Sequence, residues 1–286
     1  MIGYIYKSSH GLVWRENQRG LLPLSPGLVQ GGLQLDKAKD LLNSSNAFFI
    51  RWDSDFDTVH SGVWWHVIKD KFEPLEELSK KVRYMLRKGT DRYLVKKIEK
   101  REVLELGYSV YVSAYSRYNT HEPMFNKDEF LSAIESLPRV TEFFGVFDRE
   151  SGELVAFSEN YIENEVCFYV TMWCTPESMK KFSSYVLFHE MEKHYLYTLN
   201  FKYVSDGTRS INHDTNIHNF LISKFNFRKA YSRLNVCYQP WLLILVKFLF
   251  PFRKFIGLIN NRNFKRITIL LTQEAIRRQC MRRLGE

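Results

Sequence analysis

The sequence is short of several features that would have assigned a class at once. Its four cysteines, Cys167, Cys174, Cys237 and Cys280, form no C-x-x-C pair and no disulfide-like spacing, so they are expected as reduced thiols in a reducing compartment. No basic stretch followed by an apolar core stands near Met1, so no secretory signal is expected. The longest apolar run, Trp241 to Phe252, is interrupted by Lys247 and Pro251 and is too short to cross a bilayer as one helix. No internal repeat or low-complexity tract is present. His189 and His194 are five apart, whereas two metal ligands on one helix face need a spacing of four, so no metal site is expected. Net positive charge is lacking over most of the chain: residues 1–240 carry a net of only +1. That argues against a basic groove across the fold and against nucleic acid as a partner.

What is present is an apolar, aromatic chain with a charged end. Of 286 residues 45% are hydrophobic and 15% aromatic, ample for a packed core and incompatible with global disorder. From residue 241 onward ten basic residues face only Glu274 and Glu286, so the tail holds +8 of the formal +9. Its apolar part, Trp241 to Phe250, lies beside this charge. The composition suits a segment in a membrane interface, with cations against anionic headgroups, and equally a helix covering the core.

Local patterns suggest the elements. Residues 1–45 are rich in turn residues and show no clear periodicity. Ala47 to Trp52 and Val63 to Lys69 read as strands, and Leu75 to Lys88 as a helix stopped by Gly89. Tyr93 to Glu99 alternates like a strand, and Val103 to Tyr118 has helical spacing. Asn126 and Glu129 can form a capping box for a short helix. Three strands follow, Glu142 to Phe147, Leu154 to Tyr161 and Val166 to Met172, joined by hairpin turns. A long helix to about Tyr197, a strand at Lys202 to Ser205, a helix from Thr215 to Phe225 and a strand from Ser232 to Tyr238 complete the body. A meander followed by a crossover helix predicts an α+β fold with a mixed central sheet flanked by helices.

Over residues 92–240 this order resembles the GNAT acyltransferase fold. The string from Lys202 to Tyr231 is similar to the end of the GNAT core, with Asn226, Phe227 and Arg228 in place of its "xGFR" element. The preceding helix, with Arg83, Arg87, Lys88 and Gly89, looks like the arginine-rich segment of Fem-type peptidoglycan transferases and related polysaccharide-cluster proteins. The chain departs from the GNAT pattern at the cofactor loop, where Met179 to Tyr185 replaces a glycine-rich run. It departs also at the usual tyrosine acid, whose place falls on Ile222. The resemblance implies an N-terminal extension (1–91), an acyltransferase core (92–240) and a helical tail (241–286).

It also implies an N-acyltransferase moving an acyl group from acyl-CoA to an amine, such as an amino sugar on a lipid-linked glycan precursor. Two alternatives remain: an aminoacyl-tRNA donor, and a non-catalytic scaffold at a membrane. Lys180, Lys181, Ser183 and Ser184 are the candidate phosphate contacts, with Ser183 or Ser184 capping the long helix. His213 is a candidate base, and Glu159 an alternative. Asp206 and Arg209, at the end of a central strand, and Arg83 and Arg87, four apart on a helix, are candidate substrate contacts. The chain is expected in the cytoplasm, with peripheral contact at the inner face of the membrane through residues 241–286.

Overall fold

The computed structural model describes residues 5–9, 12–17, 19–24, 33–117, 123–211, 216–259 and 261–282. The chain opens with three short strands, β1 (Ile5–Ser9), β2 (Leu12–Asn17) and β3 (Gly20–Pro23), then α1 (Leu35–Asn43). These four elements fall where the sequence shows no clear periodicity. Strands β4 (Phe49–Val59) and β5 (Trp65–Lys69) follow, then α2 (Lys80–Arg92), whose first turn is capped by the Ser79 side chain accepting from the Val82 N–H.

Gly89 does not stop this helix; α2 runs through it to Arg92. A Cβ at Gly89 would lie 2.7 Å from Val186 Cγ1 and 3.1 Å from the Phe182 carbonyl. Glycine is there because a second helix comes too close for a side chain.

Then come β6 (Tyr93–Ile98), α3 (Lys100–Tyr115) and α4 (Lys127–Glu135), the last with the Asn126/Glu129 capping box that the sequence suggests. The meander is β7 (Thr141–Asp148), β8 (Leu154–Glu163) and β9 (Val166–Cys174). The expected long helix, starting near Ser183 and ending near Tyr197, is α6 (Ser183–Glu192), which continues as π-helical turns over Lys193–Thr198; a short α5 (Pro176–Lys180) precedes it after a break in the helical path. The break sits at Phe182, held at a left-handed φ of 71°. The remaining elements are β10 (Tyr203–Thr208), α7 (Asn216–Phe225), β11 (Arg228–Tyr238), α8 (Pro240–Leu249), α9 (Arg253–Ile256) and α10 (Arg262–Arg282).

The chain folds as two compact units, each carrying its own run of strands within one eleven-stranded sheet and named here for their place in the sequence. The central unit contains residues 68–207 and 220–227. Its strands run in the order β6–β7–β8–β9–β10, antiparallel except for the parallel β9/β10 pair. On one face Phe157 and Trp173 meet Phe130 of α4 and Tyr111 of α3. On the other, Tyr169 and Phe144 meet Phe188 and Tyr195. This is the mixed sheet flanked by helices that the element order predicts.

The flanking unit contains residues 5–67, 208–219 and 228–286. Its strands run β1–β2–β3–β4–β11, antiparallel except for β3/β4. Trp14, Leu21, Ala38, Leu42, Ile50 and Trp52 form one cluster of its core. Leu242 and Val246 of α8 pack with Tyr238, Ile256 and Leu271 in another. One face of the tail therefore covers core.

Candidate active site

Strands β9 and β10 pair only at their beginnings. Tyr203, Val204 and Ser205 are in register with Val166, Cys167 and Phe168, and no further pairs form, although both strands continue. Just beyond the last pair, β9 carries a bulge. Glu159 of β8 is opposite Thr171 and Asn160 is opposite Tyr169, so Val170 is the extra residue. A bulge bends its strand and ends regular pairing. The β10-facing edge of β9 beyond Phe168 is thus left without a strand ladder, in the middle of a sheet.

Polar residues crowd this point on β8. Ser158, Glu159 and Asn160 are consecutive and all buried. Alternation along the strand sends Glu159 to the α3 face, with Thr171 and Trp173, and the other two to the α6 face. Glu159 is 1% exposed, and its Oε1 accepts no hydrogen bond. Burial raises its pKa; Thr171 and Trp173 only partly oppose the shift. A carboxyl in this setting titrates closer to neutrality than a free glutamate, as a general base for amine chemistry requires.

On the α6 face, Asn160 Nδ2 donates to Ser158 Oγ at 3.0 Å, while Asn160 Oδ1 and the Tyr169 hydroxyl are buried without partners. Glu192 of α6 is also buried. Its Oε2 lies 2.8 Å from Lys69 Nζ, its Oε1 is unpaired, and burial raises its pKa against the pull of Lys69. Buried polar atoms are rarely left unpaired. Here several lie on the strands and helix around the place where the sheet opens. Thr171, Asn160, Tyr169 and Glu192 were not singled out from the sequence. The signal available was the triplet Ser158-Glu159-Asn160 inside an otherwise apolar strand.

The other candidates are placed as follows. His213 lies outside the described residues. Lys180 and Lys181 are exposed at the α5/α6 junction. Ser183 and Ser184 do not cap α6. The capping position is Phe182, without a side-chain bond, and the buried Ser183 hydroxyl donates to Ser178 Oγ at 2.9 Å. Asp206 is half-buried on β10, just before Gly207 turns through a φ of 84°. Arg209, in the flanking unit, donates from Nη1 to the Val63 carbonyl at 2.7 Å.

Arg83 and Arg87 share one face of α2. With Glu76, Lys80 and Tyr84 they line a concavity of about 380 Å³. Arg83 is fixed there by donating to the carbonyls of Glu76 and Leu78. His189 stacks near Phe72, and burial with nearby Lys69 and Lys193 lowers its pKa to about 4.

No family model and no curated protein sequence matches the chain. Solved structures do. FemX matches over 85% of this chain and 90% of its own, with 11% identity and a TM-score of 0.58. L-PGS from Bacillus licheniformis matches over 97% and 89%, with 12% identity and a TM-score of 0.52. A GCN5-related N-acetyltransferase from Sphaerobacter thermophilus is more distant, with 11% identity, 79% and 76% coverage and a TM-score of 0.41. At these identities the likeness is one of fold. The chain has an α+β fold, with a mixed central sheet flanked by helices, of the kind seen in FemX and L-PGS.

Proposed function

We propose that the chain is an N-acyltransferase that moves an acyl group from acyl-CoA to an amine at the opening between β9 and β10. The observation that carries this reading is the joint placement of the opening, the Val170 bulge and the buried Glu159 on adjoining strands. Acyl transfer needs a neutral amine, donors for the tetrahedral oxyanion and a donor held in register. Glu159 would take the proton from the acceptor's ammonium, directly or through water, so that the free amine attacks the thioester carbonyl, the C–S bond breaks and coenzyme A leaves as its thiol; His213 is the second candidate base. Backbone N–H groups on the open edge of β9 would meet the oxyanion. Lys180 and Lys181, with the N–H groups of Ser183 and Ser184 at the start of α6, would hold the donor phosphates. Asp206 would attract an amine, and Arg209, Arg83 and Arg87 anionic parts of the substrates. The reading places the chain in the cytoplasm at the inner face of a membrane, where a lipid-linked glycan amine is within reach.

One observation favours a second donor. The α5/α6 junction has no glycine, and its left-handed turn position is held by Phe182 at a φ of 71°, where close backbone approach of a pyrophosphate would favour a residue without a side chain. An aminoacyl ester on tRNA needs no such cradle. Calorimetric titration with coenzyme A and an acyl-CoA separates the two. Binding supports the first reading. No binding, together with aminoacyl transfer from charged tRNA, replaces it with the second. Failure with both donors would leave a non-catalytic module.

A further inference from the structure

The tail presents a second apolar face that the fold does not use. Leu242 and Val246 of α8 point into the core of the flanking unit. Trp241, Ile244, Leu245 and Phe248 occupy the opposite stripe and are exposed, Ile244 by 69% and Phe248 by 70%. The spacing of three, four and seven makes them one continuous line along the helix. Past its end the Phe252 ring continues the line, 6.3 Å from Phe248, and Phe255 at 72% and Leu258 at 82% follow it in the chain, also exposed. Isolated exposed apolar residues are ordinary, but so many in one short stretch mark an interaction surface.

The charges around the line decide what it meets. Lys247 on α8, Lys254 on α9 and Lys265 and Arg266 on α10 are exposed, and none forms an ion pair among the described residues. Three other cations there have structural work. Arg277 and Arg278 bind Glu274 at 2.8 and 2.7 Å, and Arg253 binds the Phe250 carbonyl at 3.1 Å. The one acidic side chain on α10 is thereby neutralised inside the fold, and among the described residues of α8, α9 and α10 the free charge left is positive. Trp241, edge-on to Phe48 at 5.1 Å, stands at the rim of the line, a position that suits an amphipathic ring at a headgroup boundary. Among the described residues no helix is long and apolar enough to cross a membrane.

We infer that α8 and α9 form a membrane-docking face. Trp241, Ile244, Phe248, Phe252, Phe255 and Leu258 enter the interface of an anionic bilayer, and Lys247, Lys254, Lys265 and Arg266 lie against its headgroups. An apolar partner protein would not explain four unpaired cations, whereas an anionic lipid surface uses both features. The inference deepens the membrane placement proposed above, and it rests on that placement but not on the chemistry of the β9/β10 opening.

The test is co-sedimentation of the full chain with vesicles of phosphatidylcholine alone, or mixed with phosphatidylglycerol, at low and high salt. The expected result is binding to the mixed vesicles that weakens with salt without vanishing, because only the electrostatic part is screened. Phe248→Ser with Phe255→Ser should lower the bound fraction roughly tenfold or more while the melting temperature holds, since both rings are in solvent. Lys247→Glu with Lys254→Glu should remove the preference for the anionic lipid. Wild-type protein left in the supernatant with mixed vesicles at low salt overturns the inference. So does a serine pair that binds undiminished. A stable dimer by light scattering that the serine pair dissociates would assign the face to a second copy instead. Vesicle binding is read without donor or acceptor, so a chain that binds coenzyme A but no vesicles loses this surface and keeps the proposed chemistry, and the converse holds.

Discussion

Two buried carboxylates, one in each unit, are treated in opposite ways. Asp53 on β4 of the flanking unit is 7% exposed, and its Oδ1 is ringed by donors. Its Oδ1 accepts from Trp64 Nε1 at 2.5 Å and Ser232 Oγ at 2.9 Å, and His66 Nε2 lies at 3.2 Å. Burial pushes its pKa up, but His66, Ser232 and Trp64 outweigh that and hold it below the usual range. Glu159 on β8 of the central unit is buried more deeply, with an unpaired oxygen, and its pKa is raised. A buried charge ringed by donors fastens strands together. A buried carboxylate with spare hydrogen-bonding capacity costs stability, and it is kept where a reacting group will supply the missing partner.

Removing Asp53 should have the largest effect. Asp53→Ala leaves the Trp64 N–H, the Ser232 hydroxyl and His66 facing a void, and a cost of about 3–5 kcal/mol is expected. Urea unfolding followed by circular dichroism measures it. A loss below about 1 kcal/mol would mean that the network is ornamental and the contrast empty.

Glu159→Gln should do the reverse. Folding stability should hold or rise, because a neutral amide replaces a carboxyl that pays for burial. Turnover should fall about a hundredfold or more in the assay that detects transfer. Equal rates for wild type and variant would return the role of base to His213.

The two groups also predict opposite pH limbs. Asp53 has a depressed folded pKa, so its contribution is present above the ordinary aspartate value of 3.8 and is lost as pH falls through the folded value. Glu159 has a raised folded pKa, so its contribution is complete below the ordinary glutamate value of 4.5 and is lost as pH rises through the folded value. Asp53→Asn should therefore flatten the acid side of the stability profile, and Glu159→Gln the side toward neutrality. Thermal melts across pH that show both variants flattening the same side would break the comparison.

How much of this was legible in the sequence follows the range of the interactions. The β7–β8–β9 meander was readable because its turns are local and polar, and the α4 start because Asn126 and Glu129 are three apart. Strands β1 to β3 were not, since four to six residues give too short a pattern to recognise. The Leu234↔Asp53 register between β11 and β4 joins residues far apart in the chain and leaves no local trace. Glu159 could be named from its place in an apolar strand, but the bulge at Val170 and the early end of the β9/β10 ladder exist only in three dimensions.

Gly89 was misread for the same reason, because a glycine kept for a close neighbour looks like one that ends a helix. Gly89→Ala tests this. Helix propensity alone would add about 1 kcal/mol. The new methyl meets the Phe182 carbonyl, a backbone atom that cannot swing away, and overpacking of this kind costs about 1–3 kcal/mol. A net loss of stability is expected, and a gain would restore the helix-stop explanation.

The smallest effect is the most discriminating, because its sign is at issue. Tyr169 is buried against Phe188 with its hydroxyl unpaired, and Ser232 is buried with its hydroxyl donated to Asp53. Deleting each hydroxyl is a one-atom change of the same kind. Ser232→Ala breaks a bond to a charge and should cost about 1.5–3 kcal/mol. Tyr169→Phe removes a polar atom that no group among the described residues satisfies, so stability should stay level or rise by about 1 kcal/mol. Urea midpoints of the two variants decide it. If Tyr169→Phe loses as much as Ser232→Ala, the hydroxyl has a partner such as a trapped water, and the central unit is as well satisfied as the flanking one. If it gains stability while donor binding weakens, the unpaired hydroxyl belongs to the same opening as Glu159, kept vacant within the fold because a ligand completes it.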